Sequence, residues 1–267
     1  MKRMVAAAIV SDLPRIAAQI GPFSIHWYGL LADAAILTGL FMTLHYAARF
    51  GIDPENILLL APILVVAIVV GARLAHVLTM PGYYLAHPVE ILRIYEGGLA
   101  SHGAIAASML VGIWAARWLH FSYWAAADAI APALPMAHIF IRVANFINGE
   151  NYGPPTHLPW GVIFPGDSVP RHPSQLYEAL TSALILALAV RWARRRRFEG
   201  ELFWRVMLAL SLVRFLIDFI RRSGPMVGPF VLSQLAAGPL VILAALLLWR
   251  GWRRATRSSA GAARSTR

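Results

Sequence analysis

The sequence predicts an all-α fold: a polytopic membrane protein with about seven transmembrane helices and ordered extracytoplasmic arms. Composition is the first of three observations behind that reading. Of 267 residues, 58% are hydrophobic and only 14% charged, and mean hydropathy is +0.61. A soluble domain that must clothe its surface in polar side chains is far less apolar. The second is length: apolar runs of about 20 residues, enough for a helix to cross ~30 Å of hydrocarbon, recur along the chain. The third is the position of the basic residues, which gather at the ends of those runs and in the connections.

Residues 1 to 26 contain Asp12, Pro14 and Arg15, lack the continuous apolar core of a cleavable signal, and are expected to lie in the membrane interface. Spans follow from Tyr28 to Ala47, Ile57 to Leu78, Leu99 to Trp118, Trp124 to Phe146, His172 to Trp192, Leu202 to Phe219 and Phe230 to Trp249. The connections 79 to 98 and 147 to 171 are the long ones; the first is rich in Tyr, Pro and Gly and the second holds five Pro. They read as ordered surface arms with aromatic anchors. Residues 1–250 are expected to form one transmembrane catalytic domain. Residues 251–267, mostly Arg, Ser and Ala, read as a basic, disordered cytoplasmic tail held near anionic headgroups.

An odd number of spans puts the termini on opposite sides. One side collects 13 basic residues, at Arg49, Arg117, the 191 to 198 loop and the C-terminal tail; the other collects seven. The basic-rich side is expected to be cytoplasmic, with the N-terminus outside, although Lys2 and Arg3 point the other way. The net charge of +11 is therefore read as topology; nucleic acid is not an expected partner, because no soluble basic domain could present a groove-reading element. The absence of Cys excludes disulfides, thiolate metal sites and cysteine nucleophiles. No Gly-x-Ser-x-Gly elbow is present, and His, Asp and Glu are not grouped at ligand spacing, so neither a serine hydrolase nor a metal site is expected, and no cofactor is required.

Polar residues inside the spans fall in one layer near the outer end. They are Tyr28; Arg73 and His76; Ser101 and His102; Arg142 and Asn145; His172, Ser174, Gln175, Tyr177 and Glu178; and Arg214, Asp218 and Arg221. Arg142, Asn145 and Asn148, at offsets of three and six, share a helix face, and Asp218 is spaced to pair with Arg214 or Arg221. A buried guanidinium costs several kcal/mol or more unless it is paired, so such residues mark a ligand site or a structural ion pair. The plainer reading is an Arg142 that snorkels to the headgroups while the Asn residues cap the helix. A transporter would carry polar groups at mid-depth, where this chain is nearly all Leu, Ile, Val and Ala; the layer fits an enzyme open to the outer leaflet. Arg142 and Arg214, with Arg73 and Arg221, suit a phosphodiester through forked hydrogen bonds. His102, in the first turn of its span between Gly98 and Gly103, is the best proton acceptor; His76 and His172 are weaker candidates.

Several segments resemble the bacterial prolipoprotein diacylglyceryl transferase family. They are His26-Trp27-Tyr28-Gly29, Gly71-Ala72-Arg73-Leu74, Tyr95-Glu96-Gly97-Gly98 leading to His102-Gly103, the run from Arg142 through Asn145, Asn148 and Glu150 to Gly153, Pro170 to Glu178, and Arg214-Phe215 with Asp218 and Arg221. The resemblance implies seven membrane helices in a bacterial cell (inner) membrane. It implies transfer of diacylglyceryl from phosphatidylglycerol to the lipobox Cys thiol of a prolipoprotein signal peptide. His102, Arg142 and Arg214 are implied as the catalytic set, supported by Tyr28, Asn145, Asn148, Glu150 and Gly153, with membrane lipids as surroundings. The chain departs from the family pattern at Ile141 and Ala104, each usually Gly, at Asp218, usually Glu, and at Leu232-Ser233, usually Met-Gly. A divergent, weakly active or non-catalytic phospholipid-binding relative is the alternative. The non-catalytic form would bind phosphatidylglycerol without consuming it.

The charge distribution gives a direct test. A reporter fused after Arg257 is expected to signal cytoplasm and one near Thr156 the outside; the opposite pair of signals would overturn the assignment.

Overall fold

The computed structural model describes residues 9–10, 13–94, 97–221 and 226–265. Lys2, Arg3, Asp12 and the Tyr95-Glu96 pair lie outside them. The fold is that of an all-α polytopic membrane protein, with nine α-helices and only short strands among the described residues. Helices α1 (Trp27–Arg49), α2 (Pro54–Thr79), α3 (Pro81–Ala86), α4 (Ser101–Trp118) and α5 (Tyr123–Ile130) are followed by α6 (Ala133–Asn148), α7 (Ser174–Ala193), α8 (Glu201–Arg221) and α9 (Leu232–Ser265). Among the described residues, five stretches are long and apolar enough to cross a membrane: Trp27–Arg49, Pro54–Thr79, Tyr123–Asn148, Ser174–Ala193 and Leu232–Arg257. The other two expected spans fall on α4, of 18 residues, and α8, of 21, which are not among these five. α8 carries Glu201, Arg205, Arg214, Asp218 and Arg221, and that load lowers its mean hydropathy. Large apolar side chains such as Leu37, Phe41 and Leu180 stand exposed on these helices, as expected where the solvent is lipid.

The chain divides into two compact units, one formed by Met1–Thr43 with Ala127–Arg267 and the other by Leu44–Ala126. In the smaller unit α2 starts with Asp53 accepting the Glu55 amide at 3.0 Å and Pro54 in the first turn. It packs along α4. The backbones nearly touch at Gly71 and Gly103, where a methyl on either residue would collide with the other helix. Arg73 then organises the segment between the two helices. Its Nε donates to the Ile91 carbonyl at 2.9 Å, Nη1 to those of Gly97 and Gly98 at 2.8 and 3.1 Å, and Nη2 to that of Glu90. Gly97 and Gly98 both hold positive φ, which presents their carbonyls to this one side chain.

In the larger unit α6, α7, α8 and α9 pack in succession. The expected fourth span is broken at Ala131-Pro132, since proline cannot supply an amide to the helix ladder. α6 stops at Gly149, whose left-handed backbone returns its amide to the Asn145 and Phe146 carbonyls. The segment after it is stitched to the start of α7: the Gly153 amide bonds His172 O at 2.8 Å and the Thr156 amide bonds Pro170 O at 2.9 Å. Strand β1 (Ile9–Val10) runs parallel to β4 (Val162–Ile163), while β2 (Ile16–Ile20) and β3 (Phe23–His26) form a hairpin that leads into α1. α9 does not stop near Trp249 but continues as helix through the basic stretch to Ser265. Ala and Arg are strong helix formers, and extending an existing helix avoids the nucleation cost.

A polar knot absent from the sequence reading ties the other end of this unit. Asp128, 0% exposed, accepts the Gly200 amide at 2.7 Å, the Phe203 amide at 2.8 Å and Arg196 Nη1 at 2.9 Å. It therefore caps α8 from α5 with a negative charge at the positive helix end. Glu201 accepts from Arg205 and from Trp252 Nε1, each at 2.6 Å, which locks α9 to the same corner. Asp128→Ala leaves the Gly200 and Phe203 amides without this acceptor and removes a charge partner of the half-buried Arg196, and should cost about 1–3 kcal/mol. A lowered thermal midpoint in detergent would report it, with Asp128→Asn, which keeps an acceptor oxygen, falling less.

Candidate functional site

The site grows from Glu178, in the second turn of α7 and 2% exposed. α7 is set in place at its first turn: Ser174 donates to the Asn151 carbonyl at 3.0 Å and Gln175 to that of Glu150 at 2.6 Å. Glu178 Oε2 then meets Arg142 Nη2 at 2.8 Å and Arg214 Nη1 at 3.6 Å, while Oε1 meets Arg221 Nη1 at 3.4 Å. One carboxylate thus draws three guanidinium groups, from α6 and α8, to a single point. Arg221 is held further by Asn151 Oδ1 at 2.7 Å. Asn151 sits at φ 61, a backbone region that Asn tolerates better than most residues. Asp218 pairs with Arg214 Nε at 3.1 Å, one of the two pairings its spacing permits, and accepts the Ser233 hydroxyl at 2.5 Å.

Arg142 has a second neighbour one turn deeper on its own helix. Its Nε donates to His138 Nε2 at 3.0 Å, and His138 Nδ1 lies 2.7 Å from the Ser182 hydroxyl. These groups border a cavity of about 380 Å³, whose wall also includes Leu134, Leu210, Val213 and Leu240. Among the described residues, Arg142 Nη1 and Arg214 Nη2 have no hydrogen-bond or ion-pair partner. Three guanidinium groups against the carboxylates of Glu178 and Asp218 leave one formal positive charge (3 − 2) beside the cavity. An apolar-walled cavity with one free terminal nitrogen on each of two guanidinium groups and a surplus cation is built to hold an anion.

The expected residues divide between the two units. Arg142, Arg214, Asp218 and Arg221 converge as described. Asn145 is buried one turn beyond Arg142, and Asn148 donates to Glu150 Oε1 at 3.2 Å. Gly153 packs so tightly that an added Cβ would lie 2.8 Å from His172 Cβ, a distance no substituent tolerates. Tyr28 is the second residue of α1 and is exposed. In the smaller unit, His102 occupies the first turn of α4 with an exposed side chain, and Arg73 directs its donors to backbone carbonyls. His172 Nδ1 lies 3.3 Å from the Tyr177 hydroxyl, which also accepts from Trp160 Nε1 at 2.7 Å.

Sequence reasoning gave Glu178 no role and passed over His138, Ser182 and Asn151. Two signals could have found them: clustered arginines need a counter-charge, and His138 precedes Arg142 by four, Ser182 follows Glu178 by four.

A family model described as prolipoprotein diacylglyceryl transferase matches residues 15–250. A phosphatidylglycerol–prolipoprotein diacylglyceryl transferase of Paracidovorax citrulli is 39% identical over 263 residues, covering 90% of this chain and 95% of that protein. One from Polynucleobacter asymbioticus is 37% identical over 253 residues (88% and 94%), and one from Geobacter sulfurreducens 36% over 234 (84% and 90%). The match takes in every element that builds the arginine cluster, from α6 through the start of α9, and on that ground the chain belongs to the prolipoprotein diacylglyceryl transferase family.

Proposed function

We propose that this protein transfers the diacylglyceryl group of phosphatidylglycerol to the lipobox Cys thiol of prolipoproteins, forming a thioether and releasing glycerol phosphate. The observation that carries the reading is the pair of free guanidinium N–H groups, on Arg142 and Arg214, at the rim of an apolar-walled cavity with one surplus positive charge. A cavity of about 380 Å³ suits a lipid headgroup. The names of the relatives supply the substrates.

The thiolate sulfur attacks the saturated glycerol carbon next to the phosphate. A C–S bond forms as the C–O bond breaks, and the electron pair leaves on glycerol phosphate. Arg142 and Arg214 bind the phosphate more tightly as charge gathers on the departing oxygen, and that difference between ground and transition state accelerates the step. Glu178 and Asp218 hold the two forks in orientation. His102 is proposed to take the thiol proton, with Tyr28, Asn145, Asn148, Glu150, Gly153 and Arg221 supporting the substrate-binding surface. Arg73 is assigned to holding the glycine-rich segment that precedes α4. We infer a bacterial inner-membrane protein with seven spans in a single catalytic domain, N-terminus outside and C-terminus in the cytoplasm; counting α4 and α8 brings the five long apolar stretches to seven.

Purified protein incubated with phosphatidylglycerol and a lipobox peptide, read by mass spectrometry, tests the reading; phosphatidylglycerol that binds without being consumed would refute it. Arg142→Lys and Arg214→Lys keep the charge and lose the planar fork, so each should reduce transfer strongly in folded, inserted protein. Truncating both should cost much less than the sum of the single losses. His102→Asn retains size and a hydrogen bond but accepts no proton at neutral pH, and transfer should drop about 10²-fold or more. Normal turnover of that variant at pH 7 removes His102 from proton transfer.

A further inference from the structure

We propose that His138 is a positioning residue: it sets the rotation of the Arg142 guanidinium and so aims Nη1 into the cavity. The inference rests on the transfer reading above. α6 and α7 face each other here through two rungs. Arg142 and Glu178 form one rung, at 2.8 Å; His138 and Ser182, each one helical turn away, form the other, at 2.7 Å. The bond from Arg142 Nε to His138 Nε2, at 3.0 Å, ties the rungs together.

This bond decides the tautomer. Arginine Nε is always a donor, so His138 Nε2 is the acceptor, and the proton of the neutral ring lies on Nδ1, donated to Ser182 Oγ. Ser182 is buried, 1% exposed. Charging the ring would set N–H against N–H and break the link. The lone pair of His138 is therefore already engaged, which suits a support for Arg142 and not a base for the substrate thiol.

A guanidinium is a rigid plane at the end of a flexible chain. Contact at Nη2 alone leaves it free to pivot about Glu178; a second contact at Nε fixes the plane and hence the direction of Nη1. Glu178 and His138 supply those two contacts from different helices. Without His138, an N–H inside an apolar wall loses its acceptor and the fork loses its aim.

The test compares His138→Leu, His138→Gln, Arg142→Lys and the Arg142→Lys/His138→Leu double variant as purified full-length proteins. Each is assayed for transfer from phosphatidylglycerol to a lipobox peptide and for the thermal shift produced by phosphatidylglycerol vesicles. His138→Leu should lower kcat/KM at least about tenfold. His138→Gln places an acceptor where Nε2 stood, cannot act as a base, and should stay within about threefold of wild type. In the Arg142→Lys background, with no Nε–H to hold, adding His138→Leu should change transfer by less than about twofold. The lipid-induced shift should follow the same order, and it decides where turnover is too low to read. The inference is overturned if His138→Leu matches wild type, if His138→Gln is as impaired as His138→Leu, or if His138→Leu costs its full loss in the Lys background. A wild-type protein that binds phosphatidylglycerol but transfers nothing sinks the transfer reading instead, and the lipid-induced shifts still judge His138.

Discussion

A single carboxylate, that of Glu178, makes the rest of this site possible. Three guanidinium groups gathered beside an apolar cavity repel one another and have lost hydration; only a counter-charge at their centre lets them be neighbours. Glu178 meets all three within 3.6 Å. It thereby fixes the spacing of α6 and α8 on either side of α7, which apolar packing alone would leave adjustable. Its position depends in turn on the first turn of α7, whose Ser174 and Gln175 grip the carbonyls of Asn151 and Glu150. In the proposed transfer a bound phosphate shares its arginines with this internal anion, and one net positive charge remains beside the cavity once glycerol phosphate departs.

Much of the architecture was legible because membrane spans are written in the length of apolar runs. Helices α1, α2, α7 and α8 begin and end within a few residues of the expected bounds. The break at Pro132 and the continuation of α9 were not legible: Pro62 and Pro239 sit inside unbroken helices, so a proline in an apolar run does not by itself mark a break, and a basic, Ala-rich tail reads equally as helix or as coil. Within the site, Arg142, Arg214 and Asp218 could be read because a charge in an apolar run demands a partner. Which partner was decided in three dimensions. Glu178 sits in a run of polar residues at a helix start, where a capping role is just as reasonable, and Arg73 resembles Arg142 on paper while the structure directs it to carbonyls. Asp128 lies in a stretch of Ala, and its partners arrive about 70 residues later.

Two positions expected to depart from the family pattern touch each other: Asp218, where a longer acid is expected, and Ser233, where glycine is expected. The Ser233 hydroxyl donates to Asp218 Oδ2 at 2.5 Å while the same oxygen pairs with Arg214 at 3.1 Å. The hydroxyl holds the Asp218 carboxylate beside Arg214. The start of α9 is anchored in the same place: Gln234 donates to the Phe215 carbonyl at 3.1 Å and accepts the Val231 amide at 2.9 Å. Ser233, Asp218 and Arg214 therefore form one connected contact between α8 and the start of α9.

The parallel pairing of Ile9–Val10 with Val162–Ile163 has a temporal side. A ribosome adding about 5–20 residues per second makes the second strand roughly 8–30 s after the first. For that interval the N-terminal strand has no partner for its amides and carbonyls, while the intervening helices enter the membrane one after another. Completion of the fold is thus gated by translation of the segment that follows Gly153. A chain arrested earlier would carry an open strand edge, the kind of surface that quality-control proteases and chaperones recognise.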